Sequence, residues 1–117
     1  MSNPIKISYI EFPGDDLAAI EEFYTKTFGW TFTQYGPEYS SFEDGQLSGG
    51  FYKTEAKSSA ELGAPLIVLY SEELEASEAS VKENGGRICK EIFSFPGGRR
   101  FQFLDPHGNE LAIWSDK

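Results

Sequence analysis

The chain has 117 residues, of which 39% are hydrophobic, and ten Phe, six Tyr and two Trp supply the large side chains that a packed core needs. This length predicts one domain, or two small half-domains that share a core. Nineteen acidic residues against ten basic ones give a formal net charge of −9. Such a charge repels the phosphates of nucleic acids and excludes them as expected partners.

The cysteine content and the chain start indicate the compartment. The single Cys89 cannot form an intramolecular disulfide, and we interpret it as a small buried hydrophobic residue. No run approaches the roughly 18 apolar residues of a membrane span. The opening residues, MSNPIKISY, contain no signal-peptide core. We therefore expect a cytoplasmic protein, in a reducing environment and without a membrane partner.

The first half of the chain alternates between strand and helix patterns. Lys6–Phe12 alternates with a period of two and predicts a strand. After a Pro-Gly-Asp break, apolar residues recur at near-helical spacing and predict a helix over Asp16–Phe28, with Asp15 as its N-cap and Gly29 just beyond its end. Three short strands should follow, with the sequences WTFTQY, YSSFED and QLSGGFYK.

The same order of patterns then begins again. A polar stretch without periodicity predicts a linker over residues 54–63. Next come a buried strand, PLIVLY, and a helix, SEELEASEASVKENGG, with Ser71 as its N-cap. Three further strands, RICKEIF, RRFQFLD and NELAIWS, are separated by SFPGG and DPHG. The helix starts DDLAA and EELEA lie 57 residues apart, as do Gly29 and Gly86. This common offset predicts two βαβββ modules over residues 4–53 and 64–116.

Two segments resemble the vicinal oxygen chelate superfamily, which includes glyoxalase I, extradiol dioxygenases, fosfomycin-resistance enzymes and bleomycin-binding proteins. Tyr9–Trp30 (YIEFPGDDLAAIEEFYTKTFGW) resembles its opening strand and helix, and Phe101–Trp114 (FQFLDPHGNELAIW) resembles its closing hairpin. The resemblance implies a single domain over residues 1–117 with an α+β, glyoxalase-like fold. In that fold two βαβββ modules form a curved, mixed β-sheet cup with the helices outside. It also implies a homodimer with cavities at or near the interface.

The resemblance also implies where metal ligands would stand. Metal-dependent members place His or Gln on the first strand of a module and Glu on its last strand, and the corresponding residues here are Tyr9 and Ala112. The expected position on the second module's first strand is near Leu66, and PLIVLY has no His, Gln or Glu. The last strand of the first module, LSGGFYK, has no carboxylate. We therefore expect neither the chelated divalent metal of those members nor another cofactor.

Strand alternation predicts which residues line the expected cup. If Ile10 and Phe12 pack beneath the helix, their neighbours Tyr9 and Glu11 face the other way, and the same reasoning applies to the closing hairpin. The resulting wall mixes aromatic and polar side chains, as small-molecule sites do. Its predicted ligand-binding residues are Tyr9, Glu11, Arg100, Gln102, Glu110 and Trp114.

Each polar candidate has a structural alternative. Glu11 is the one catalytic candidate, as a general base in a partly enclosed cup, but it could instead pair with Arg100 or lie at a wet rim. Tyr9 could hydrogen-bond a ligand or only fill space. Arg99 and Arg100 could hold an anion, although at most one faces the cup, and both could pair with surface acids. The single histidine, His107, is interpreted as an exposed turn residue.

Three functional hypotheses follow. The first is a metal-free protein that binds a small oxygen-rich or aromatic metabolite, similar to the bleomycin-binding proteins. The second is an enzyme of the same fold, of lyase, isomerase or dioxygenase type, with a relocated metal site or a metal-independent mechanism. The third is a structural or interaction role, with the cup filled by Tyr9 and Trp114. A fold alone does not choose among them.

Overall fold

The computed structural model describes residues 3–117, so Met1 and Ser2 of the expected domain and of the opening segment lie outside the described residues. No helix within this range is long and apolar enough to cross a membrane. The elements follow in the order β1 (Tyr9–Gly14), α1 (Leu17–Phe28), β2 (Thr31–Gln34), β3 (Tyr39–Glu43), β4 (Ser48–Lys53), β5 (Ile67–Tyr70), α2 (Leu74–Glu83), β6 (Arg87–Phe95), β7 (Gly98–Leu104) and β8 (Glu110–Ser115).

The strands form two four-stranded sheets of the same topology. Their orders are β1-β4-β3-β2 and β5-β8-β7-β6. In each sheet the first and last strands of a module pair in parallel, and the other neighbours pair antiparallel. Two βαβββ modules are therefore present, and the predicted α+β, glyoxalase-like fold is confirmed.

One hydrophobic core joins the two modules. Helix α1 supplies it with a buried stripe that includes Phe23 and Tyr24. The ring of Tyr24 lies 5.3 Å from that of Phe51 in β4, and the ring of Phe23 lies 6.1 Å from that of Phe103 in β7. Because α1 contacts side chains of both sheets, the inner faces of the sheets share this core. The opposite face of each sheet points away from it.

The start of α1 differs from the prediction by one residue. Asp16, not Asp15, is the N-cap, and its Oδ1 accepts a hydrogen bond from the Ala19 N–H at 3.1 Å. The Asp15 N–H instead donates to His107 Nδ1 at 3.2 Å. The predicted end is confirmed, since Gly29 adopts a left-handed conformation with φ of 76°.

The second module corrects two further predictions. Ser71 does not cap α2, because Glu73 occupies the N-cap position, while Ser71 Oγ accepts the Glu73 N–H at 3.1 Å. Strand β6 extends to Phe95, so the turn that was expected over SFPGG contains only Pro96 and Gly97. The pairing of β6 with β7 is also irregular between Ile88 and Phe93. A bulged strand of this kind has no regular alternation to read from sequence.

Candidate functional site

The predicted faces of the strands are confirmed. In β1, Phe12 is buried while Tyr9 and Glu11 are exposed on the other side. We call the face of the first sheet that carries Tyr9 and Glu11 the first open face. In the closing hairpin, the buried residues Phe101, Phe103, Leu111 and Ile113 alternate with residues of the opposite face. We call that face, which carries Arg100, Gln102, Glu110 and Trp114, the second open face.

The structure does not bring the six predicted wall residues together. Two lie on the first open face and four on the second, and the sheets that carry them are separate. No hydrogen bond or ion pair among residues 3–117 connects the two groups. In particular, Glu11 does not pair with Arg100. The predicted wall residues therefore form two separate groups, one on each open face.

The first open face holds a hydrogen-bonded cluster of two phenols and a carboxylate. Tyr9 and Tyr39 hydroxyls are hydrogen-bonded to each other, and the Tyr39 hydroxyl donates to Glu11 Oε2 at 3.0 Å. The side chains come from β1 and β3, with Gly50 of β4 between them. Partial burial, followed by the hydrogen bonds to Tyr9 and Glu11, raises the pKa of Tyr39. The Tyr39 phenol therefore keeps its proton near neutral pH.

Tyr39 and Gly50 were missed by the reasoning from sequence. Tyr39 opens the strand YSSFE, and Gly50 belongs to the Gly pair of β4. The signal was the glycine, since a glycine inside a strand marks a close approach by another group. Here that group is the pair of phenols.

The second open face is built around Arg100. Its guanidinium lies over the ring of Phe93, 5.2 Å from the centroid, and 6.0 Å from that of Phe95. Arg100 Nε is buried and has no hydrogen-bond partner in the part of the chain that the structure describes. The ion pairs found within residues 3–117 involve Lys26, Arg99 and Lys117, and none includes Arg100.

Aromatic rings continue the second open face beyond Arg100. The ring of Trp114 lies 5.1 Å from that of Tyr70 and 6.3 Å from that of Phe95. Trp114 and Arg100 are cross-strand neighbours in the β7–β8 pair. Trp30, by contrast, belongs to the core and stacks on Phe42, with ring centroids 4.5 Å apart. The guanidinium therefore lies beside a wall of apolar ring surface.

Gln102 and Glu110 are neighbours, and their polar groups already form hydrogen bonds within the protein. Gln102 Nε2 donates to Glu110 Oε2 at 2.7 Å, and the Ala60 N–H of the linker donates to Glu110 Oε1 at 2.9 Å. A surface cavity of about 500 Å³ lies beside them, between the linker and β6. Glu110 thus holds the linker against the sheet.

Cys89 corrects the expectation of a buried thiol. It is exposed, and its Sγ donates to Glu110 Oε2 at 3.7 Å. Its neighbour Ile88 packs against the core, so Cys89 lies on the opposite face, at the point where the β6–β7 register shifts between Ile88 and Lys90. Partial burial, followed by the Glu110 carboxylate, raises the pKa of the Cys89 thiol.

The two arginines of the predicted anion site have different surroundings. Arg99 Nη1 donates to Glu75 Oε2 at 2.5 Å, and Arg99 Nη2 donates to the Lys117 carbonyl at 3.1 Å. Arg99 is therefore a surface ion pair, the structural alternative considered from sequence. As the strand alternation predicts, Arg100 is the one that lies on the open face.

The DPHGN turn joins the modules. Asp105 Oδ1 accepts from the backbone N–H groups of His107, Gly108 and Asn109, each at 2.9 Å, and Tyr24 of α1 donates to Asp105 Oδ2 at 2.8 Å. Burial raises the pKa of Asp105, although these hydrogen bonds oppose the rise. The turn therefore anchors α1 to the second sheet.

Two other side chains of this turn reach the first module and the linker. Asn109 Nδ2 donates to the Pro13 carbonyl at 2.8 Å, and the Ser58 N–H donates to Asn109 Oδ1 at 3.0 Å. His107 is half-buried rather than exposed, with Nε2 2.6 Å from the Ala56 carbonyl oxygen. The prediction of an exposed turn histidine is wrong because the linker covers the turn.

A sequence model of the Glyoxalase/Bleomycin resistance protein/Dioxygenase superfamily matches residues 6–113. The chain belongs to this superfamily. The resemblance found in the strand–helix opening and the closing hairpin is thereby confirmed. Comparison of the sequence with curated proteins gives no match.

Solved structures of superfamily proteins are similar to this chain in fold. The fosfomycin resistance protein FosX from Listeria monocytogenes has a TM-score of 0.80 at 17% identity, over 97% of this chain and 94% of that chain. A glyoxalase/bleomycin resistance protein/dioxygenase family enzyme from Burkholderia phytofirmans PsJN has a TM-score of 0.78 at 19% identity, over 94% and 98%. Lactoylglutathione lyase from Agrobacterium tumefaciens has a TM-score of 0.74 at 19% identity, over 97% and 96%.

The positions that correspond to the superfamily's metal ligands do not fit a metal here. The Tyr9 hydroxyl is engaged with Tyr39. Ala112 has only a methyl group, and its cross-strand neighbours are Gln102 and Val68. Gln102 is already bonded to Glu110. Within residues 3–117 no three His, Cys, Asp or Glu side chains are grouped so that they could hold a metal ion.

Proposed function

We propose that this superfamily member binds a small amphipathic metabolite, aromatic or oxygen-rich in its body and carrying one anionic group, without the metal site of its metal-dependent relatives. The observation that carries the proposal is the Arg100 guanidinium, which has aromatic surface beneath it and no ion-pair partner among the described residues. The nature of the ligand follows from the chemistry of this group and its surroundings.

The lack of an acid at Arg100 is notable because the chain has 19 acidic residues. Its neighbour Arg99 is paired with Glu75, so acids are within reach of this part of the surface. A guanidinium offers a planar fork of N–H donors that fits a carboxylate or phosphate with two parallel hydrogen bonds. The rings of Phe93 and Phe95 hold it in place by cation–π contact. These features support an anionic ligand group at Arg100.

We further propose that the ligand cavity is completed by a second copy of the chain. The two open faces point away from the shared core, so a closed cup needs the first open face of one protomer opposite the second open face of its partner. Large apolar side chains are exposed on or beside these open faces, with Ile7 at 77%, Tyr70 at 48% and Val68 at 40% exposure. Glu11 and Arg100 would bring opposite charges to the two walls.

The binding proposal is tested with 3-phenylpropionate, which combines an aromatic ring with one carboxylate. ¹H–¹⁵N NMR titration should shift resonances of the second open face, and Arg100→Gln should weaken binding about tenfold or more, because a charge-assisted hydrogen bond contributes about 1.5–3 kcal/mol. Arg99→Gln is the matched control and should leave the affinity within twofold. Equal effects of the two substitutions would contradict the proposal.

The homodimer is tested by light scattering of the purified protein. Tyr70→Asp should shift a dimer towards monomer, because it places a charge in the proposed contact. Glu22→Arg, on the outer surface of α1, should not change the mass. A wild-type protein that is monomeric at all concentrations would refute the dimer.

The second candidate function is an enzyme of this fold with a metal-independent mechanism or a relocated metal site. The observation that favours it is the Tyr9–Tyr39–Glu11 chain, which could carry a proton to or from a ligand. Metal analysis by mass spectrometry and melting curves with and without EDTA separate the two metal cases. Stoichiometric metal with a melting point lowered by EDTA would contradict the metal-free proposal.

The exposed free thiol of Cys89 agrees with the cytoplasmic location that we propose.

A further inference from the structure

We propose that the first open face contains a subsite for a cationic hydrogen-bond donor, above all a primary ammonium group. Tyr9 and Glu11 would contact the ammonium group, and Tyr39 would position them. This inference rests on the proposed function and deepens it, because the ligand then carries an amine as well as an acid. The ligand class is a small amino acid-like zwitterion with an apolar or aromatic body.

The subsite depends on the absence of a side chain at Gly50. In the β1–β4–β3 part of the sheet, Gly50 is the cross-strand neighbour of both Glu11 and Ser41. A Cβ atom at Gly50 would lie 2.1 Å from the Tyr39 hydroxyl oxygen and 2.7 Å from that of Tyr9. The phenols of two non-adjacent strands therefore meet directly above this glycine.

The contacts fix the direction of the hydrogen bonds. Tyr39 donates its proton to the Glu11 carboxylate. A phenol has only one proton, so Tyr39 must be the acceptor in its bond with Tyr9. The chain of donors thus runs from Tyr9 through Tyr39 to Glu11. Burial and these same bonds keep Tyr39 protonated, since they raise its pKa.

The atoms left for a ligand are all acceptors. The Tyr9 oxygen keeps a lone pair, and the residue is 46% exposed. Glu11 uses Oε2 for Tyr39, which leaves Oε1 free to accept, and the residue is exposed. A ligand must therefore bring N–H or O–H donors. An ammonium group satisfies this requirement and also gains charge attraction from Glu11, so it should bind better than a neutral hydroxyl.

Two anionic alternatives are disfavoured by the same geometry. A carboxylate or phosphate would face the Glu11 charge and find no donor in the cluster. Such a group matches the Arg100 guanidinium on the second open face, whose N–H groups are all donors. Glu11 and Arg100 thus differ in charge, and a ligand that contacts both has one group of each sign.

The test uses two probes of nearly the same shape, phenethylamine and 3-phenylpropionate, titrated at millimolar concentration into ¹⁵N-labelled full-length protein. Glu11→Gln should weaken phenethylamine binding about tenfold and should not weaken 3-phenylpropionate binding. Arg100→Gln should do the reverse. Glutamine still accepts the Tyr39 hydroxyl, so the fold and the phenol pair are retained in the first variant.

Tyr39→Phe and Gly50→Ala test the positioning of the subsite. Tyr39→Phe frees the Tyr9 proton and should weaken phenethylamine binding about threefold, while Gly50→Ala displaces both phenols and should weaken it further. Circular dichroism and the melting point report whether each variant is folded. If Gly50→Ala does not fold, Glu11→Gln alone tests the subsite.

The outcomes separate this inference from the proposed function. Phenethylamine binding that is absent, or unaffected by Glu11→Gln, overturns the ammonium subsite. If 3-phenylpropionate still binds through Arg100 in that case, the proposed function stands alone. If neither probe binds, the proposed function fails as well. Phenylalanine, which joins the two charges on one ring-bearing molecule, should bind more tightly than either probe.

Discussion

The hydrogen bond from Tyr24 to Asp105 should be among the strongest polar contacts between the modules. Tyr24 is fully buried, and its hydroxyl lies 2.8 Å from Asp105 Oδ2. Tyr24→Phe removes this bond and leaves the ring packing unchanged. A hydrogen bond to a charged group contributes about 1.5–3 kcal/mol. Asp105 Oδ2 keeps a second donor, Asn109 Nδ2 at 3.1 Å, so no carboxylate oxygen is left without a partner.

We therefore expect Tyr24→Phe to lower the free energy of unfolding by about 2 kcal/mol at pH 7. For a domain of this size the corresponding fall in melting temperature is roughly 6–10 °C. Tyr70→Phe is the matched control, because its hydroxyl also donates to an aspartate, Asp116, but at the surface. This bond is exposed to solvent, so Tyr70→Phe should lower the free energy of unfolding much less than Tyr24→Phe. Urea unfolding of both variants gives the comparison.

The cost of Tyr24→Phe should also depend on pH. Burial holds the folded-state pKa of Asp105 above its unfolded value, so Asp105 contributes most to stability when protonated, and that contribution declines as pH rises through the folded-state pKa. The hydrogen bond from Tyr24 lowers the pKa of Asp105, and so reduces the loss of stability as pH rises. Without the bond the decline is larger, and the gap between variant and wild type grows from pH 4 to pH 7. A cost that equals that of Tyr70→Phe, or that is the same at both pH values, would refute this reasoning.

Three further outcomes are expected. Asn109→Ala should lower the free energy of unfolding by about 2–4 kcal/mol in urea, because two backbone groups lose their buried partner; a loss below about 1 kcal/mol would mean that water replaces the amide. His107 should show the Nε2–H tautomer in long-range ¹H–¹⁵N NMR spectra at pH 8, because its Nδ1 accepts the Asp15 N–H. Cys89 should react with a thiol reagent in the folded protein, and faster in Glu110→Gln, because the carboxylate raises its pKa; reaction only after unfolding would contradict its exposure.

Much of this fold could be predicted from sequence because the two periodicities are clear. Leu17, Ile20 and Tyr24 form a helical stripe, and the alternation of Phe101 and Phe103 gives the inner face of β7. The predictions that failed concern irregular or long-range features. Cys89 lies where β6 and β7 lose their regular register. The half-burial of His107 depends on a linker more than 50 residues away in sequence.

The sequence predicts which side of each strand the candidate residues occupy, but not which residues of different strands and sheets come together. Period-two alternation correctly assigned Tyr9, Glu11 and Arg100 to the open faces. Alternation carries no information about which faces of two sheets meet, since that depends on how α1 packs against both. Alternation within one strand also does not show which residues of other strands lie beside it. Tyr39 was missed for this reason, because it reaches Tyr9 across the intervening strand at Gly50.

The closing hairpin separates the determinants of the fold from those of the chemistry. Its Asp105 and Asn109 side chains are buried and hold α1, β1 and the linker together. Ala112 stands only three positions beyond Asn109 but belongs to the open face. The methyl group of Ala112 takes part in none of these junction hydrogen bonds. The DPHGN motif therefore identifies the architecture, and under the binding proposal the residues of the open faces, Arg100 and Glu11 above all, decide what the protein binds.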